Sequence, residues 1–203
     1  VLGANVLIHS KNQELKKAWL PQLMEGTKRV ALALDEHTYF DPTAIATTAK
    51  STANGYTLSG KKTMIIDGAS ADAFIVVAKT EDEELALFIV AADSKGITVT
   101  SDVLLDAGTY ATVVFDQVAV TATNRISGAG EGAALLNHIL NTASICLSAE
   151  MLGMVTEAFG QTVAYLKERE QFGKRIGTYQ ALQHRAAIMF SEIVAILYRL
   201  CNV

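Results

Sequence analysis

Apolar residues fall along the chain in three different rhythms. Over residues 1–25 the spacing is helical. Val6, Leu7 and Ile8 lead to Leu15, Trp19, Leu20 and Leu23, with Lys11, Glu14, Lys16 and Lys17 on the opposite side. Pro21 breaks that pattern and Gly26 closes it. Over residues 29–126 the apolar runs become short and rich in β-branched residues, at 30–34, 64–66, 74–78, 85–91, 97–99 and 111–115. Turn signals separate them: Asn54-Gly55, Ser59-Gly60, Asp67-Gly68, Lys95-Gly96 and Ala107-Gly108. Asn54-Gly55 predicts a hairpin, because a type I′ turn needs two residues at positive φ. Short strands with no helix between them predict a β-sandwich or barrel and exclude a Rossmann domain.

From about residue 132 to 169 the pattern is one helix of about ten turns. Asn137, Asn141, Ser144 and Ser148 share one stripe, and apolar residues occupy nearly every other side, as in a bundle or an oligomer interface. A second helix starts near Tyr179, with Leu182, Ala186, Met189, Ile193, Ile196, Leu197 and Leu200 as its expected buried face. The fold class expected is α+β and multidomain, a β-sandwich or barrel flanked by helical segments. The expected domains are 1–28 (the end of a helical domain), 29–127 (the β-domain) and 128–203 (the start of a helical bundle).

The 203 residues are half hydrophobic, enough for a sizeable core. A net charge of −4 and a pI near 5.6 leave no basic stripe for nucleic acid. Cys146 and Cys201 stand in apolar helical contexts outside any CxxC pair and are expected to be reduced, buried thiols. The sequence shows no basic-then-apolar leader and no uninterrupted apolar stretch long enough for a bilayer. A soluble, cytoplasmic chain with no membrane span is expected. Val1 opens and Val203 closes within apolar helical patterns, so the chain reads as part of a longer protein.

Chemistry concentrates where the long helix ends. Lys167, Glu168, Arg169 and Glu170 lead into Gln171-Phe172-Gly173, where a guanidinium can fork onto an oxyanion and a phenyl ring can stack. A surface elbow between helices has the same composition. Elsewhere the candidates have plainer readings. Glu36-His37 and His184 lack metal-ligand spacing, and the adjacent carboxylates of Asp35 and Glu36 on a strand would point to opposite faces. The acidic run 81–84 reads as a solvated loop, and Met151 and Met154 as core filler.

Tyr165, Arg169, Gln171-Phe172-Gly173, Ile176, Gln180 and His184, in that order and spacing, closely resemble the Y-x3-R-x-QFG-x-x-I-x3-Q-x3-H segment of the acyl-CoA dehydrogenase family. The segment AWLPQLMEG resembles the close of that family's N-terminal helical domain. VVFDQVAVTATNRIS resembles its link between β-domain and helices, with Thr121 for the usual proline. The resemblance implies α,β-desaturation of an acyl-CoA thioester, by proton abstraction and hydride transfer to FAD. Electrons would pass to an electron-transferring flavoprotein or similar acceptor, from a homo- or hetero-oligomer such as a dimer of dimers.

Position by position, the resemblance sets Arg169, Gln171, Phe172 and Gln180 against the FAD of a neighbouring subunit. Leu34, Met64 and Ile66 fall at flavin-contacting positions of the β-domain, and Phe40 and Tyr165 at substrate-side positions. Leu34 stands for a threonine, Phe40 for a small serine, and Met64-Ile65-Ile66 for an aromatic-x-Thr/Ser. The usual glutamate base lies beyond Val203, and the alternative base position and its neighbouring arginine are Ala143 and Ser144. Two further readings follow from those departures. One is a half-site subunit that completes a partner's FAD site; the other is an oxidase on the same fold.

Overall fold

The computed structural model describes residues 2–106 and 108–201, in two compact units, 1–140 and 141–203. Val1, Val203 and the Ala107 half of the Ala107-Gly108 turn signal lie outside the described residues.

The first unit opens with two helices where the sequence suggested one: α1 (Leu2–His9) and α2 (Gln13–Met24). The break is made by polar hooks. Ser10 is buried and its hydroxyl donates to Ile126 O at 2.9 Å, while Asn12 caps α2 by accepting from Leu15 N at 3.1 Å. Pro21 lies inside α2 rather than ending it. Seven strands follow: β1 (Val30–Ala33), β2 (Thr48–Thr52), β3 (Gly55–Ile66), β4 (Ala73–Thr80), β5 (Leu85–Ala91), β6 (Ile97–Asp102) and β7 (Tyr110–Thr121). They form one curled mixed sheet in the order β1-β4-β2-β3-β7-β6. One side of β4 is taken by antiparallel β5. The other side is shared end to end by β1, paired parallel over residues 73–76, and β2, paired parallel over 79–80.

The sheet carries a core on each face, which explains its sequence. Phe74, Val76, Ala78, Ala86, Phe88 and Val90 point into the curl with Leu58, Ile65, Val113 and Phe115. The alternate residues Ile75, Val77, Leu87 and Ile89 pack with Val6, Leu7, Ile126, Leu136 and Ile139 of the helical side. Buried on both faces, β4 and β5 read as continuous apolar runs; β7, covered on one face, alternates.

The β2–β3 hairpin forms at the Asn54-Gly55 signal, but its two loop residues are Ala53 and Asn54, since Thr52 pairs with Gly55. Neither has positive φ, so the turn is not type I′. Gly55 is required for a different reason: a Cβ there would sit 2.2 Å from Val120 O. Ser59-Gly60 is no turn either. β3 runs straight through it, with an irregularity in its pairing to β7.

Helix α3 (Gly132–Glu168) begins in the first unit and continues into the second, where it is followed by the short pair β8 (Glu170–Gln171) and β9 (Lys174–Arg175) and by α4 (Gln180–Cys201). Contrary to expectation, α3 is long and apolar enough to cross a membrane by length and composition alone. The core helix of a soluble bundle passes the same test. Phe159 and Phe190 bring α3 and α4 together, with ring centroids 6.2 Å apart.

Of the face expected to be buried on α4, only Ile193 is; Leu182, Ala186 and Leu200 are half-buried, and Met189, Ile196 and Leu197 are exposed. Met151, Met154, Cys146 and Cys201 are exposed too, against expectation. An amphipathic helix buries its apolar stripe only where facing surfaces exist, and one helical neighbour covers little of it.

Candidate functional site

Two places carry chemistry, one in each unit. In the first, the segment after β1 is laced to β3 by a buried lysine. Lys62, wholly buried, donates from Nζ to Leu34 O at 2.9 Å and to Glu36 Oε1 at 2.7 Å. Glu36 accepts three more bonds, from Ala46 N at 2.7 Å, Thr47 N at 2.9 Å and Thr47 Oγ1 at 2.7 Å. Thr63 extends the lacing through its N–H to Asp35 O at 2.7 Å and its hydroxyl to His37 O at 3.2 Å.

Burial pushes Lys62 below the ordinary lysine range, and its bond to Glu36 and the charges of Glu36 and Asp35 offset part of that. Burial pushes Glu36 up. The bonds from Lys62 and Thr47, with the lysine charge, outweigh it and hold the carboxyl below its ordinary range. Asp35 is raised, by burial first and with Lys62 opposing, and its buried Oδ1 has no hydrogen-bond partner.

That lacing fixes where the predicted β-domain positions lie. Leu34 is 4% exposed and belongs to the helix-facing core, so only its backbone is engaged in polar contact. Phe40 is exposed on the following loop, beside a stacked His37–Tyr39 pair with centroids 5.2 Å apart. Asp41 closes that loop by accepting from Thr43 N at 3.0 Å and Thr43 Oγ1 at 2.6 Å, bonds that hold its carboxyl below the usual range. Met64 sits at φ 52° in an irregular stretch of the β3–β7 pairing, and both it and Ile66 are exposed. A flavin's pyrimidine edge needs donors and acceptors, and the side chains of Leu34, Met64 and Ile66 have none to give. On side-chain chemistry these loops do not fit the polar edge of FAD.

The second unit holds the other group. The backbone turns where Arg169 N donates to Tyr165 O at 2.9 Å and Ile176 N donates to Arg169 O at 2.8 Å. Between those bonds β8 and β9 form a minimal hairpin, Glu170 opposite Arg175 and Gln171 opposite Lys174. Its tip, Phe172 (φ 54°) and Gly173 (φ 77°), has the two positive φ values of a type I′ turn. Glycine adopts this region freely; phenylalanine does so at a cost.

Phe172 is 91% exposed. Arg169, Gln171, Tyr165 and Gln180, the first residue of α4, are exposed as well, and Arg169 makes no ion pair among the described residues. Lys174 lies over the Tyr179 ring at 4.2 Å, steadying the base of the hairpin. Arg169, Gln171 and Phe172 thus share one solvent-facing turn that offers a cation, an amide already donating to Glu170 O at 2.8 Å, and a ring to a flat, anionic ligand.

The residues that the sequence reading missed are Lys62 and Thr47, and Glu36 in its actual role as the hub of the lacing. A signal existed. Lys62 falls on the same side of β3 as buried Leu58, and a lysine at an inward strand position needs a carboxylate.

Family models agree with this layout. The middle domain of acyl-CoA dehydrogenases matches residues 32–118 and the C-terminal domain of acyl-CoA dehydrogenases matches residues 130–202. An acyl-CoA dehydrogenase of Bacillus subtilis is 30% identical over 202 residues, covering 96% of this chain and 53% of that protein. The mitochondrial isovaleryl-CoA dehydrogenase of Pongo abelii is 30% identical over 213 residues, covering 100% and 50%. Among solved structures, a glutaryl-CoA dehydrogenase of Mycobacterium smegmatis in complex with FADH2 superposes with a TM-score of 0.91 at 27% identity, covering 98% of this chain and 52% of that one.

The chain belongs to the acyl-CoA dehydrogenase family. It spans about half the length of the curated relatives it matches. α3 lies within the C-terminal-domain match.

Proposed function

We propose that the chain is part of a flavin-dependent acyl-CoA dehydrogenase that desaturates an acyl-CoA thioester between Cα and Cβ. The observation that carries this reading is the exposed Arg169–Gln171–Phe172 turn, held by a strained hairpin, with Arg169 in no ion pair among the described residues. In this reading bound FAD would supply the hydride acceptor that desaturation requires, with an electron-transferring flavoprotein or similar protein as the electron acceptor. Arg169 holds the flavin nucleotide's anionic part, Gln171 gives it an amide hydrogen bond, and Phe172 covers a flat face. Gln180 opens α4 beyond the hairpin. Tyr165 and Phe40 keep the substrate-contact roles that the family resemblance implies, each within its own unit. Neither Ala143 nor Ser144 offers a carboxylate, so the base comes from another part of the protein.

One observation favours a second reading. Leu34 is sealed in the core, and Met64 and Ile66 present apolar side chains where a flavin edge would need polar ones. A subunit whose own β-domain site is lost but whose C-terminal turn is intact would complete the flavin site of a partner in a hetero-oligomer.

The visible absorption spectrum of the full-length protein, purified alone and after co-expression with a homologous subunit, separates the two. Stoichiometric flavin in the lone protein supports the ordinary enzyme. A colourless protein that turns yellow only with its partner supports the half-site subunit. No flavin under either condition removes both.

A further inference from the structure

His9 ends α1 and His138 lies in the second turn of α3, both within the first unit. Their Nε2 atoms stand 3.3 Å apart, with the rings crossed at 72° and both side chains open to solvent. They face a recess of about 380 Å³ that is also lined by Ser10, Lys11, Ser127 and Glu131. We propose that His9 and His138 form a chelating site for a borderline divalent transition-metal ion, Zn²⁺ or Ni²⁺, clipping the end of α1 to the start of α3.

Three features support the site. The first is spacing. Two zinc–imidazole bonds of about 2.0–2.1 Å, opened to the tetrahedral angle, set their nitrogens about 3.3 Å apart. The observed pair already has that separation, and modest rotation of two exposed rings aims both lone pairs at one ion. The second is rigidity on both sides. Ser10, next to His9, is pinned to Ile126 O, and His138 is flanked on its helix by Leu136 and Ile139, both in the core. The imidazoles therefore converge without ordering a loop, which lowers the entropic cost of binding.

The third is the setting. Neutral imidazole suits these ions and discriminates against Mg²⁺ and Ca²⁺, which seek oxygen. Water fills the remaining positions, and Glu131, ion-paired with Lys11, puts a carboxylate on the same recess. The proposed site uses no residue of the Arg169–Phe172 turn, so it stands independently of the proposed flavin chemistry.

The test is calorimetric titration of the full-length protein with Zn²⁺, in a Cys146→Ser/Cys201→Ser background that removes the two exposed thiols. One ion per chain is expected, with at least a tenfold loss of affinity in His9→Gln and again in His138→Gln. His184→Gln, in the second unit, is expected to change nothing. Circular dichroism checks that each variant is folded, and Mg²⁺ is expected to give no binding heat. Stoichiometric binding that survives either His9→Gln or His138→Gln overturns the proposal, as does the absence of Zn²⁺ binding in the parent.

Discussion

Replacing Lys62 with alanine is expected to lower the unfolding free energy by about 3–5 kcal/mol, the usual consequence of removing one partner from a buried ion pair. The reason is what stays behind. Glu36, its side chain 7% exposed, keeps three hydrogen bonds from Ala46 and Thr47 but loses the cation facing it. Asp35 already has an unsatisfied buried oxygen and loses the charge that partly offsets its burial. Leu34 O also loses its donor. Lys62→Met, which restores volume without charge, is expected to recover only the packing part of the loss.

The carboxylate partner gives the pH dependence. Glu36 is held below the ordinary glutamate value of about 4.3. Its contribution is therefore complete above that value and fades as pH falls through the lower folded one. Asp35 is shifted the other way, so its contribution is present in acid and falls as pH rises through its raised value. In urea melts between pH 3 and 7, the stability gap between the parent and Glu36→Gln should narrow toward acid. A Lys62→Ala loss below about 1 kcal/mol, within the range of exposed ion pairs, would show that water reaches the cluster and that the lacing is not a buried one.

What could be read from the sequence, and what could not, follows how far each element's causes reach along the chain. β4 and β5 were legible because burial on both faces writes an unbroken apolar run, and α3 because 37 residues of helical spacing leave little else to form. The Tyr165–Arg169–Gln171–Phe172 turn was legible because its causes are local: its hydrogen bonds close between Tyr165 and Ile176, eleven positions apart.

β2 was missed because TAKST buries only Ala49 and is held by its register with β3, supported by Glu36 hooked onto residues 46 and 47. Glu36 and Lys62 are 26 positions apart, so neither residue announces the other. The split of residues 1–25 into two helices depends on Ser10 reaching Ile126, 116 residues away. The face of α4 was misjudged in the other direction. Its period was correct, but periodicity says which residues would be buried together, not whether a surface is present to bury them.

The Phe172 hairpin gives a test in which stability and function are expected to move in opposite directions. A non-glycine residue in the left-handed region costs on the order of 1–3 kcal/mol, and the ring of Phe172, 91% exposed, gains almost no burial in return. Phe172→Gly relieves that strain. After allowing for glycine's extra freedom in the unfolded chain, a gain of up to about 1 kcal/mol is expected. Arg169→Ala removes an exposed side chain with no ion pair among the described residues, and stability should stay within about 0.5 kcal/mol.

Flavin retention is expected to fall in both variants. A charge-assisted hydrogen bond from Arg169 is worth about 1.5–3 kcal/mol, which corresponds to roughly 10–150-fold in flavin affinity, and the loss of the covering ring should cost about tenfold. Flavin content and dissociation constant, measured on the assembled oligomer beside its melting temperature, give both readouts from one preparation. Strain kept at a ring that gains almost no burial points to something outside the chain for that ring to hold. Variants that hold flavin as tightly as the parent would mean that the hairpin is only an elbow between α3 and α4, and the flavin reading of this turn would fall with it.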